Sequence, residues 1–328
     1  PKVWYRRFLV KTRKFGSLDF YVSEIAFGGA AISGEGGGYG FGGISEKESI
    51  DLLHACFDAG INIYDTAPVY GFGESERRIG KAFHNRRDDV FLVSKSGVTW
   101  NSSKRIFISN DLKTTQMMLH RSLKDLKTDY IDLYMIHWPD SKVDIREPMK
   151  ALSRAKKEGK IRFIGLSNPR LEDLKKAEEV DRVQVVQDEF NFFKDDLRET
   201  LFPLIREHNY GLMTWGTLGK GVLTGRVARD RKFDPSDCRS WAPWWKTSYL
   251  QERIDGIEKF QTFLKIAGIS GLQAALGFNL GFPEVSAAIC GIRNLDQLQS
   301  LLATLNSLPS PQKIKELRAE FVFSINSK

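Results

Sequence analysis

The sequence is poor in the residues that would mark a secreted, membrane-spanning or metal-binding protein. Three cysteines, Cys56, Cys238 and Cys290, are scattered through 328 residues. Their spacing makes neither a disulfide framework nor a zinc pattern, which points to a reducing compartment, the cytoplasm. No apolar run approaches the roughly 20 residues that span a bilayer, so no membrane partner is expected. The first residues, Pro1-Lys2-Val3-Trp4-Tyr5-Arg6-Arg7, lack the apolar core of a secretory signal.

Dense basic runs with interleaved aromatics are missing too. The 49 Lys and Arg outnumber 41 Asp and Glu, leaving a formal net charge of +8. The cations are spread along helix faces, as in Arg154, Lys156, Lys157 and Lys160, and form no stripe for nucleic acid. Part of the excess suits a polyanionic small molecule. Also absent is a G-x-G-x-x-G after the first strand with an acid about 20 residues on, the dinucleotide fingerprint of open doubly wound sheets. The glycine-rich tract 34–43 lacks the Lys-Ser/Thr ending of a phosphate loop and reads as a flexible lip above a pocket.

What the chain does have is alternation. Strand-like 23–29, 61–67, 89–95, 131–137, 161–167, 182–190, 211–218 and 285–292 are each followed by a helical pattern. The helices fall at 45–59, 74–84, 110–126, 146–158, 171–178, 197–208, 250–266 and 295–305. The first opens on Ser45-x-x-Glu48, a capping box. Eight such units favour a closed (β/α)8 TIM barrel, α/β in class, with residues 1–328 as a single domain. A β-hairpin in 3–22 would plug its bottom. Inserts at 97–109 and 219–249 fall on the carboxyl side, where loops shape pockets, and 311–323 is a helical cover.

Three of the apolar runs end in residues that could share one proton. The first stops at Asp65, with Tyr70 in the same loop; the next stops at Lys95, and the third at His137. Parallel strands deliver their carboxyl ends to one face, so an acid, a phenol, an amine and an imidazole would meet there. An unperturbed phenol titrates near pKa ~10, and a nearby ammonium lowers it. Lys95 is placed to tune Tyr70 in this way, with Asp65 holding Lys95 charged. Such a tyrosine protonates a carbonyl oxygen while hydride reaches the carbon. His137 can donate to the same oxygen. No metal or covalent nucleophile is required; a hydride donor is.

The loop Asp65-Thr66-Ala67-Pro68-Val69-Tyr70-Gly71-Phe72-Gly73-Glu74-Ser75-Glu76 resembles the signature loop of the aldo-keto reductase superfamily. The likeness continues through Val93-Ser94-Lys95, through 129–139 ending in His137-Trp138-Pro139, and through 159–168 and 187–191. It is nearer to the long-chain bacterial reductases, related to the potassium-channel β subunits. The resemblance implies an NADPH-dependent reductase, with NADH as the other candidate cofactor. Its catalytic set would be Asp65, Tyr70, Lys95 and His137, acting on a small-molecule carbonyl that becomes an alcohol, with sugars and keto-sugars among the candidates.

By the same likeness Ser167, Asn168 and Gln187 would hold the nicotinamide carboxamide, beside Asp65, and Trp215 would stack on the ring. Gly216, Thr217, Leu218, Lys220 and Arg226 fall in the pyrophosphate-straddling segment. Gly291, Arg293 and Gln297 fall in the adenosine-phosphate segment, with Arg293 suited to a 2′-phosphate. Gly29 stands where the family often has Thr, Gly216-Thr217 replace a usual Ser-Pro, and Leu301 replaces an adenine-facing Asn. Tyr70, Trp100, His137 and Trp138 would line the substrate pocket, with Phe107 and the aromatic stretch 241–245 as further candidate walls. Two other readings are a nicotinamide-binding regulatory subunit with little turnover and a sugar or polyol dehydrogenase running the same chemistry backwards.

Overall fold

The computed structural model describes residues 10–34, 38–227, 230–242, 245 and 248–326. The chain opens on an antiparallel hairpin of β1 (Thr12–Lys14) and β2 (Tyr21–Ser23). Positions 3–9 of the expected hairpin lie outside the described residues. Strands and helices then alternate: β3 (Ile25–Gly28), α1 (Glu46–Asp58), β4 (Ile63–Asp65), α2 (Glu74–Phe83) and β5 (Phe91–Ser96). A small hairpin, β6 (Val98–Trp100) with β7 (Ile106–Ile108), precedes α3 (Leu112–Asp125). Next come β8 (Ile131–Ile136), α4 (Arg146–Lys157), β9 (Ile161–Ser167), α5 (Leu171–Glu178), β10 (Val185–Glu189), α6 (Leu197–Thr200) and α7 (Phe202–His208). The chain closes with β11 (Gly211–Trp215), α8 (Ser248–Ile266), α9 (Gly271–Leu280), β12 (Val285–Cys290), α10 (Leu295–Leu305) and α11 (Pro311–Asn326).

Strands β3, β4, β5, β8, β9, β10, β11 and β12 pair in parallel in that order, and β12 returns to β3. This is the closed (β/α)8 barrel that the alternation implies. Helix boundaries follow local chemistry. α1 begins where Ser45 and Glu48 satisfy each other's backbone N–H groups, and α3 where Asp111 accepts the Thr114 N–H. The helix expected over 197–208 breaks at Leu201 into α6 and α7. Pro203 lies in the first turn of the second piece, where its missing N–H costs nothing. Between β11 and α8 the described residues form two 3-10 turns, Gly219–Thr224 and Cys238–Ser240.

Side chains alternate in and out along each strand. The inward set Ala26, Ile63, Phe91, Val93, Leu133, Met135, Val185, Met213 and Ala287 packs with Phe15, Leu18 and Val22 of the first hairpin. That hairpin is the barrel's plug. The fit is close: Gly16 has φ +58°, and a Cβ there would collide with the backbone amide of Gly211. The outward set, including Phe27, Tyr64, Leu92 and Tyr134, packs on the helices.

The same period of two continues to the top. Two residues beyond Ile63, Val93, Met135, Val185 and Met213 stand Asp65, Lys95, His137, Gln187 and Trp215. The polar ring is thus stacked directly on the apolar floor, as the layers of such barrels require.

Candidate active site

Asp65 ends β4 buried at 3% exposure, and Lys95 lies fully buried near the end of β5. The Lys95 Nζ donates to Asp65 Oδ1 at 2.7 Å and to the Thr66 carbonyl at 2.9 Å. Gln187, from β10 on the opposite wall, donates its Nε2 to the same Asp65 oxygen at 2.8 Å. Burial lowers the Lys95 pKa, and the Asp65 carboxylate opposes that shift.

Tyr70 hangs over this pair from the loop between β4 and α2. The Lys95 ammonium is 5.4 Å from the centre of its ring. His137 meets it edge-on, with ring centroids 5.8 Å apart and planes at 88°. Burial, with the Asp65 charge adding to it, pushes the Tyr70 hydroxyl well above the ordinary phenol value. This differs from the sequence expectation that Lys95 lowers it. Burial of the phenol is the largest cause of the rise, and the ammonium's own hydrogen bonds go to Asp65 and the Thr66 carbonyl. The arrangement keeps the Tyr70 hydroxyl protonated at neutral pH. Burial, with the Lys95 charge, pushes His137 well below the ordinary imidazole value, leaving a neutral ring at neutral pH.

The residues expected to meet a carboxamide join the same network. Ser167 donates to Gln187 Oε1 at 3.4 Å, and Asn168 Nδ2 donates to Ser167 Oγ at 2.9 Å and to the His137 carbonyl at 3.0 Å. The Trp215 indole N–H donates to Asn168 Oδ1 at 2.9 Å. One chain of hydrogen bonds therefore runs from the Trp215 indole to the Lys95 ammonium.

The loop after β11 passes Gly216, whose carbonyl accepts from Asn191 Nδ2 at 3.0 Å, and Thr217, whose hydroxyl is tied to the Ile289 carbonyl at 3.0 Å. Leu218 packs on the core, while Arg226 is exposed. Gly29 abuts the Ser75 hydroxyl and the Asp65 carbonyl so closely that no Cβ fits, which explains the missing Thr. After β12, Gly291 is exposed and Gln297 accepts the Arg293 N–H at 2.9 Å.

Arg293 is the residue here that asks for a ligand. Its Nη2 donates to the carbonyls of Gly42 and Gly43 at 3.1 and 2.9 Å. Its Nη1 is buried and has no partner among the described residues. A buried cationic donor without an acceptor is costly, and an anion satisfies it. A second guanidinium lies close by. Arg239 is gripped by Asp237 through Nε and Nη2 at 3.0 and 2.7 Å, and its Nη1 donates to the Lys220 carbonyl at 3.2 Å. Two glycines keep side-chain atoms off these cations: a Cβ on Gly42 would lie 3.4 Å from Arg293 Nη1, and one on Gly221 would lie 3.3 Å from Arg239 Nη1. The donor set fits a phosphate-rich cofactor.

Sequence reading did not single out Arg239. It lies in the aperiodic insert 219–249 and comes to the site only because Cys238 N–H bonds the Gly40 carbonyl at 2.8 Å and Phe41 bridges Asp237. The glycine-rich lip is thereby pinned in its described part, with the Gly38 carbonyl also accepting the Gly71 N–H at 2.9 Å; 35–37 lie outside the described residues.

The candidate walls divide. Trp100 packs edge-on to Phe72 at 5.1 Å beside Tyr70, and Trp138 meets Trp215 edge-on at 6.3 Å. Trp241 faces Tyr39 at 6.1 Å. Phe107 points to solvent, and Trp245 is buried against Phe233 as core. Pro243 and Trp244 lie outside the described residues. A cleft of about 340 Å³ opens beside the mouth, lined by Trp138, Trp215, Asn168, Arg170, Asp188 and Lys194 among others. Burial pushes the Asp188 carboxyl up to about 6.

The model of the Aldo/keto reductase family matches residues 24–320, which takes in every strand of the barrel. The chain belongs to the aldo/keto reductase family. Aldo-keto reductase YhdN of Bacillus subtilis (strain 168) is 33% identical over 292 residues, covering 87% of both chains. An NADH-specific methylglyoxal reductase of Escherichia coli (strain K12) is 27% identical over 311 residues, 90% of this chain and 94% of that one. The structure of the glycerol dehydrogenase AKR11B4 from Gluconobacter oxydans superposes with a TM-score of 0.81 at 26% identity, over 97% of this chain and 96% of that chain. As an aldo/keto reductase the protein is an oxidoreductase, from a family that uses nicotinamide cofactors on small carbonyl substrates. Among the described residues no single helix is long and apolar enough to cross a membrane.

Proposed function

We propose that this chain, acting as one domain over 1–328, is an NADPH-dependent reductase that converts an aldehyde or ketone to an alcohol, with Tyr70 as general acid. The observation that carries the reading is the buried Lys95–Asp65 pair, 2.7 Å apart, directly below Tyr70 and His137.

A nicotinamide dinucleotide, when bound here, would supply the hydride for the carbonyl carbon. The chain's own residues do the rest. Ser167, Asn168 and Gln187 hold the carboxamide, and Trp215 offers a ring face fixed by its bond to Asn168. Backbone of 216–226, with Lys220 and Arg226, meets the pyrophosphate. Arg293, with Gln297 and Arg239, meets the 2′-phosphate. Tyr70 and neutral His137 point polar atoms at the carbonyl oxygen. The Tyr70 hydroxyl gives up its proton as charge develops there, and the Lys95 ammonium stabilises the phenolate left behind. Asp65 keeps that ammonium charged against the cost of burial. Trp100 and Trp138 exclude water from the mouth.

Arg293 supports NADPH, because its buried Nη1 has no partner among the described residues and suits a phosphate oxygen, and Arg239 adds a second positive charge nearby. One relative carries an NADH-specific name, so family membership does not choose between the two. The glycerol dehydrogenase likeness and the methylglyoxal reductase likeness put short polyols, their carbonyl forms and small ketoaldehydes first on a substrate panel.

The test is NADPH oxidation followed by absorbance across that panel and keto-sugars, beside Tyr70→Phe. Turnover lost in the variant, with NADPH binding retained, is the expected result. Tight binding without turnover anywhere on the panel would move the reading to a regulatory subunit.

A further inference from the structure

We propose that Glu76 is a positioning residue for the proton-transfer pair, clamping the helix behind Tyr70 to the strand that carries Lys95 from outside the barrel wall. The inference rests on the reading of Tyr70 and Lys95 as that pair.

Glu76 sits in the first turn of α2, six residues after Tyr70, and its side chain is completely buried. Its Oε1 accepts from the Ser94 hydroxyl at 2.6 Å. Ser94 immediately precedes Lys95 on β5, and the alternation of the strand sends Ser94 out to the helices while Lys95 points in. Ser75, one residue before Glu76, bonds the Thr66 hydroxyl at 2.8 Å and the Gly29 carbonyl at 2.9 Å. Two adjacent side chains thus tie the start of α2 to the ends of β3, β4 and β5. The Tyr70 loop is strung between those anchors, so its height above Lys95 is set by them.

The clamp is built from groups that carry a cost. Glu76 Oε2 and the Tyr134 hydroxyl on β8 are buried without a hydrogen bond of good geometry, the Ser122 hydroxyl being the polar neighbour of both. The Ser122 hydroxyl of α3 lies 3.4 Å from that of Ser94 and completes the cluster. A half-satisfied buried carboxyl is less stable than a packed apolar side chain of similar size. Packing alone would therefore favour leucine here.

Its charge also reaches the active site. The ionisable groups facing Glu76 are Lys95 on β5, Arg121 and Asp125 on α3, and Tyr134 on β8. A negative Glu76 raises the Lys95 pKa through the barrel wall. Burial pushes the Glu76 carboxyl up to about 7, so this support grows as the solution passes through neutrality.

The experiment compares Glu76→Leu, Glu76→Gln, Ser94→Ala and Tyr70→Phe in the full chain, reading kcat, KM, NADPH affinity and the pH profile of carbonyl reduction. Glu76→Leu is expected to lower kcat by about tenfold or more, with KM for the carbonyl within about threefold. Glu76→Gln keeps the acceptor for Ser94, so it should recover most of that kcat at pH ~6. Its alkaline limb should lie at lower pH than the parent's, because Lys95 has lost a negative neighbour. A folded Glu76→Leu with parental kcat and an unshifted Glu76→Gln profile would overturn the inference. Should Glu76→Leu not fold, Ser94→Ala and Glu76→Gln decide: parental kcat and profile in both overturn it. Turnover surviving in Tyr70→Phe would instead overturn the proton-donor reading on which it rests.

Discussion

Gln187 of β10 and Lys95 of β5 donate to one and the same oxygen of Asp65, at 2.8 and 2.7 Å. The carboxylate is therefore a keystone shared by Lys95 and Gln187, which the proposed function gives to proton transfer and to the carboxamide respectively. Gln187→Leu removes one donor and leaves Asp65 Oδ1 with the other. We expect a loss of about 1–3 kcal/mol in stability and weaker cofactor binding. Thermal unfolding and fluorescence titration check both, and an unchanged cofactor affinity would separate Gln187 from that role.

Removing either partner of the Lys95–Asp65 pair strands a buried charge. Lys95→Met and Asp65→Asn should each cost about 3–5 kcal/mol. The double variant should cost less than the sum, since neither charge then lacks a partner. Urea midpoints of the four proteins give the answer; strict additivity would mean that the pair is not coupled.

The direction of the His137 shift has a kinetic signature. An imidazole held well below its ordinary value stays neutral throughout the neutral range. Tyr70, held well above its own, stays protonated there. The kcat/KM for reduction should therefore be flat between pH ~6 and ~8. A limb near 6.5 that disappears in His137→Asn would contradict the buried, neutral imidazole.

Arg293 offers a buried Nη1 to an anion. Arg293→Gln should weaken NADPH binding by about 10–100-fold, and NADH by about threefold or less. Arg239→Gln should follow the same pattern. Equal losses for the two cofactors would place the guanidiniums on the pyrophosphate instead.

Asp188 has a folded pKa of about 6 against an ordinary 3.8. The folded chain therefore holds this proton more tightly than the unfolded chain does. The resulting penalty is absent below pH ~4, grows between ~4 and ~6, and is complete above. Asp188→Asn keeps an acceptor for the Glu189 N–H and should be more stable than the parent at pH 8 by about 1–2 kcal/mol, with no difference near pH 4. Melting curves at the two pH values test the sign.

The barrel and the clustering of polar residues at its mouth were readable because both rest on a period of two. Asp65, Lys95 and His137 each stand two residues beyond an inward apolar side chain, so each apolar run also marks the polar residue at its end. Other parts obey no period. α9 is buried on nearly all sides, Gly271 and Gly277 interrupt it, and no polar face separates in its sequence. Its one local sign was the Ser270-x-x-Gln273 cap, which is formed in the structure. Arg239 depends on a contact between 237–239 and the glycine-rich lip about 200 residues away, which no local pattern encodes. Glu76 reads as an ordinary residue of an acidic first turn until the fold buries it. The fall of α2 against β5 is a tertiary event.

The plugged floor has a consequence for traffic. With Phe15, Leu18 and Val22 filling the lower end, the described residues leave the Asp65–Lys95 pair to be approached from the opposite rim. Two reactants sharing one doorway have to queue. On the proposed reading, the cofactor, seated deeper against Ser167, Gln187 and Trp215, should arrive first and leave last, with the carbonyl substrate as the stopper over it.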